Sequence, residues 1–168
     1  MIEDWNEKVA SFLTPADRLV IIGMGNHEKG DDAAGIYCVD RLKSSLGKDL
    51  PHHVRIINAG VMPENFTGDI RSFQAKKILI IDAVIAGHAP GTIFAIDPDR
   101  IANEDVSTHR MPLSMLYRFL EESLGCNVLM IGIEPENVDL DTKISKNVQS
   151  SIELIANQLF LLLSPNNI

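Results

Sequence analysis

Apolar residues fall along this chain in two rhythms. Four short continuous runs, LVII at 19–22, VRII at 54–57, ILII at 78–81 and VLMI at 128–131, are nearly all apolar and end in turn formers or acids. Runs of that length suit strands buried on both faces of a sheet. Between them apolar residues recur three or four positions apart, as in Ile36, Val39, Leu42 and Leu46, then Leu113, Leu116, Phe119 and Leu120, then Ile152, Ile155, Leu159 and Leu162. That is the spacing of one buried helix face. Ile2, Trp5, Val9 and Phe12 form a shorter amphipathic stretch that Thr14-Pro15 stops, because proline removes a donor and restricts its neighbour.

The predicted elements are a helix over 2–13, strands over 18–24 and 54–58, and helices over 31–46 and 66–73. A strand over 77–83 follows, then one over 92–97, a helix from Pro112 to Gly125, a strand over 127–133 and a long helix over 143–163. Alternating strands and helices imply an α/β fold with a mostly parallel sheet of about five strands and helices on both faces. The link over 84–91 is too short for a parallel crossover, so the strand over 92–97 is expected antiparallel to the one over 77–83. No repeat, linker or low-complexity tract divides the 168 residues, and they read as one domain, 1–168.

Composition narrows the partners. Fifteen basic against 23 acidic residues leave a net charge of −8, which argues against nucleic acid and anionic membranes. Cys38 and Cys126 stand alone, without a C-x-x-C, as small core residues of a reducing compartment do. The charged N-terminus is not a secretory signal, no run is long enough to span a bilayer, and the cytoplasm is the expected location.

Chemistry gathers at strand ends. Residues 21–35, IIGMGNHEKGDDAAG, form a strand–loop–helix unit with its loop at the strand's carboxyl end, where ligands sit in open sheets. Gly23 and Gly25 give G-x-G, but Glu28 holds the place of a third glycine, and two carboxylates, Asp31 and Asp32, stand at the helix start. A cation or a peptide suits this loop better than a phosphate, which weakens a dinucleotide-binding reading. At least one of the two aspartates is expected to cap the helix. Asn58 closes the second strand, Asp82 the third, and His109 precedes the helix that leads to the fifth. A carboxylate, an imidazole and an amide oxygen at one rim can hold a divalent cation.

Taken in order, GMGNHEKGDDAAG, INAGVMPENF, ILIIDAV, PGTIFAIDPD, STHRMPLSML and IGIEPENV resemble the hydrogenase maturation endopeptidases. The likeness is to the branch serving formate-hydrogenlyase-type and archaeal enzymes. It implies a three-layer α/β fold (phosphorylase/hydrolase-like) and removal of a C-terminal extension from the large-subunit precursor of a nickel–iron hydrogenase once nickel is in place. By that resemblance Asp32 and His109 are catalytic, and Asp32, Asn58 and His109 meet substrate-borne nickel. Asn58 then stands where the family has aspartate, with Asp31, Asp82 and Glu64 as substitute acids. Gly25, Asn26, Asp82 and Glu64 are further substrate-binding candidates, the turn 23–26 offering amides to an oxyanion. No tightly bound cofactor is expected, and a monomer meets the precursor. The rival expectation is a nickel-sensing chaperone that binds the precursor without cutting it.

Overall fold

The structure is a computed structural model, and it describes residues 5–98 and 111–165. Five strands form one sheet: β1 (Leu19–Met24), β2 (Val54–Gly60), β3 (Lys77–Ala83), β4 (Ile93–Ala95) and β5 (Asn127–Ile133), in the order β2-β1-β3-β5-β4. β1 pairs in parallel with β2 and β3, and β3 in parallel with β5. β4 runs antiparallel to β5, with Ile93 opposite Ile133. The expected reversal after β3 is present, but β5 lies between β3 and β4. The link over 84–91 therefore steps across the strand that is made last.

The helices are α1 (Trp5–Leu13), α2 (Ala34–Leu46), α3 (Thr67–Ser72), α4 (Leu113–Arg118, continued by a π turn to Ser123) and α5 (Lys146–Leu163). Alternation along the strands sends successive side chains to opposite faces. Leu19 and Ile21 of β1, with Leu79 and Ile81 of β3, pack against α1, α2 and α5. Val20 and Ile22, with Ile78 and Ile80, pack against α3 and α4. Two cores, one on each face, make the three layers the hydrophobic pattern predicts.

Element ends moved where caps decided them. The last helix starts at Lys146 because the Ser145 hydroxyl accepts from Val148 N at 3.4 Å, a capping bond that fixes a helix start. The predicted helix over 31–46 begins with a 3-10 turn, Gly30–Ala33, and becomes α-helical only at Ala34.

Candidate functional site

In this strand order the chain leaves β1 toward β2 by α2 on one face and reaches β3 and β5 by α3 and α4 on the other. The order reverses between β1 and β3. A crevice opens at such a switch point beyond the strands' carboxyl ends. Two acids stand there: Asp32, in the turn after β1, and Asp82, the penultimate residue of β3. They are 2% and 1% exposed. In so dry a setting electrostatic interactions are stronger than in water.

The turn that carries Asp32 is pressed onto β3 by glycines. A Cβ on Gly35 would lie 2.1 Å from Ile81 O and 2.5 Å from Met24 O, so the start of α2 touches backbone of both central strands. Gly25, at φ 147°, closes the other side, where a Cβ would meet Asp32 O at 2.0 Å. The close-packing role of a third glycine thus falls to Gly35, which a search of the G-x-G pattern alone does not reach.

The other predicted site residues part company. Asn58 lies on edge strand β2 and shares the face of Val54 and Ile56, toward α2. Its amide nitrogen donates to both Asp40 oxygens at 3.2 and 3.1 Å, and its oxygen accepts from Gly60 N at 3.2 Å. Asp82 shares the opposite face with Ile78 and Ile80. Asn58, the expected nickel ligand, is thus exposed with its side chain bonded to Asp40 and Gly60, on the sheet face opposite Asp82. Asp82, one of the candidate substitute acids, stands at the end of β3, beside β1.

In the turn 23–26, where an oxyanion role is expected, the amides have partners within the chain. Gly25 N donates to Gly60 O at 2.9 Å and Asn26 N to Asp32 O at 3.3 Å, so both amides are already engaged. Asn26 keeps its side chain at the rim, with Oδ1 accepting from Glu28 N at 2.9 Å. Glu64 sits in the turn after β2, partly buried, and its Oε2 has no hydrogen-bond partner among the described residues. His109 lies outside the described residues.

Neither aspartate caps a helix. The caps of the 3-10 turn and of α2 are Lys29 and Ala33, without side-chain bonds. Asp31 reaches across the molecule: Oδ2 accepts from Glu136 N at 2.8 Å and Asn137 N at 3.0 Å, and Oδ1 from Ser145 N at 2.7 Å. Glu134, at the exit of β5, accepts from Ala86 N, Gly87 N and His88 N at 2.9, 3.3 and 3.2 Å. No local spacing marks Glu134, because its partners lie 46 to 48 positions away.

Comparison with known proteins places the whole chain. Residues 36–161 match the family described as hydrogenase maturation protease. A Methanocaldococcus jannaschii protein named for that family is 34% identical over 157 residues, covering 91% of this chain and 92% of its own. The hydrogenase 3 maturation protease of Escherichia coli K12 is 32% identical over 141 residues, 83% of this chain and 87% of its own. The crystal structure of the [NiFe] hydrogenase maturation protease HycI from Thermococcus kodakarensis superposes with a TM-score of 0.83 at 30% identity, covering 93% of this chain and 98% of that one. With a family match over more than half its length, relatives above 30% identity and the same sheet, the chain belongs to the hydrogenase maturation proteases, a family of endopeptidases.

Proposed function

We propose that this peptidase removes the C-terminal extension of a nickel–iron hydrogenase large-subunit precursor, and that it reads the nickel already in that precursor as the sign that cutting is due. The single observation that carries the reading is the pair Asp32 and Asp82 at the carboxyl ends of adjacent strands, flanking the switch point. His109, four residues before α4 opens at Leu113, adds an imidazole. Two carboxylates and an imidazole make a borderline donor set suited to nickel, and three donors leave coordination positions to ligands of the precursor. The enzyme acts as a monomer in the cytoplasm and holds no tight metal of its own.

Hydrolysis needs a water to lose a proton as it attacks the scissile carbonyl, and a positive partner for the oxyanion that forms. Asp32 is the general base in this scheme, and Asp82 and His109 orient the metal-bearing end of the precursor. Nickel brought by the substrate supplies Lewis acidity toward the oxyanion, a task the amides of Gly25 and Asn26 are not free to take. A precursor without nickel lacks both the docking handle and that charge, so processing waits for metal insertion.

The test is incubation of the purified chain with precursor, with and without nickel, read by mass spectrometry. Loss of the C-terminal fragment from nickel-loaded precursor alone is the expected result. Asp32→Asn, Asp82→Asn and His109→Ala should each slow cleavage at least about 100-fold, in line with general acid–base contributions. Full cleavage by the Asp32 or Asp82 variant discards the site. Stable binding of loaded precursor without any mass loss points to the chaperone reading instead.

A further inference from the structure

Two buried carboxylates remain outside the proposed chemistry, Asp31 at 0% and Glu134 at 5% exposure. Each accepts three backbone N–H groups, and no Lys or Arg pairs with either among the described residues. A buried carboxylate is costly, and a well-packed apolar residue often stabilises a fold as much or more. What an apolar residue lacks is direction: three charge-assisted bonds fix the orientation of a loop's backbone.

The two clamps meet in one stretch. Glu134 holds the loop that follows Asp82 through its side chain, while its own N and O pair with Thr92 O at 2.9 Å and Gly91 N at 2.8 Å. Two residues later, the amides of Glu136 and Asn137 hold Asp31, the neighbour of Asp32. Asp31 N returns to Asn137 O at 2.9 Å, which closes the connection. The turn that carries Asp32 and the loop that follows Asp82 are thus both tied to residues 134–137, the EPEN at the exit of β5.

We infer that this segment sets the spacing of Asp32 and Asp82, with Asp31 and Glu134 as positioning residues for peptide hydrolysis. The inference rests on the proposed roles of Asp32 and Asp82. In that reading both acids dock the nickel-bearing end and Asp32 also acts on the water, so loosening the tie lowers turnover and weakens docking as well.

Glu134→Gln and Asp31→Asn keep shape but turn one accepting oxygen into an NH2 that faces N–H donors. On nickel-loaded precursor each should lower kcat by roughly 10- to 100-fold, the scale of an ångström of misplacement, with a smaller rise in KM. The double variant should lose less than the product of the single losses, because both release one segment. A kcat within two-fold of the parent, or losses that multiply, overturns the inference. If the parent chain itself leaves the precursor uncut, the proposed function fails, and amide exchange reads the tie independently. Glu134→Gln must then speed exchange over 26–33 as well as over 84–91; acceleration confined to 84–91 overturns the tie. Where Glu134→Gln does not fold, Glu134→Asp is read by the same criteria.

Discussion

Asn58 closes the strand expected over 54–58, in a stretch that resembles the family, where its amide is expected to meet nickel; in the structure β2 runs on to Gly60. The fold turns it toward Asp40 on α2 instead. Asn58→Asp should therefore bring no gain in cleavage. It sets a second carboxylate against Asp40, costing about 0.5–1 kcal/mol by the scale of exposed charge pairs, which Asp40→Asn relieves. Thermal unfolding of the two single variants and the double variant checks this, and a rise in cleavage rate on Asn58→Asp alone contradicts it. The thiols are legible from both sides. Cys38 is fully buried and its pKa is pushed far up by desolvation; burial also raises that of Cys126, opposed by the nearby Lys76 charge. Thiolate is the reactive form, and raising the pKa removes it at neutral pH. In the folded protein Cys38 should stay unlabelled by a disulfide reagent at pH 7–8 and Cys126 should react slowly, both becoming fast in denaturant.

Among the elements, the start of α2 decides whether the rim exists. Its contact with Met24 O and Ile81 O leaves no room for a methyl group. Gly35→Ala forces helix and strands apart, an overpacking that costs about 1–3 kcal/mol. At roughly 2–4 °C per kcal/mol for a chain of this size, the unfolding midpoint should fall by about 2–12 °C. Cleavage should fall with it, since Asp32 rides on the same turn; an unchanged midpoint with full activity shows that the contact yields at no cost. Pattern alone places β3 and β5 residue for residue, because a buried strand announces its length. It misjudges where α2 begins, because a 3-10 turn and an α-helix share one hydrophobic face.

At the scale of the molecule, stability follows the sheet's order. β1 and β3 are flanked on both edges, while β2 and the three-residue β4 are edges. Amides of β1 and β3 should exchange slowest and those of β4 fast, as local opening starts at edges with few contacts; protected β4 amides contradict that. No described helix is long and apolar enough to cross a membrane. The sequence by itself determined the layers, the parallel β1–β3 region and the family likeness, because burial periodicity and local motifs are properties of neighbouring residues. It also marked Asp32 and Asp82 as strand-end acids. Tertiary structure alone decided that β5 enters between β3 and β4, and that Asn58 and Asp82 face opposite sides of the sheet. It also decided that Asp31 and Glu134 tie the rim through residues 134–137. Those are long-range facts, since a strand's neighbour and a buried carboxylate's donors are chosen by how distant segments pack, and no local spacing records that choice.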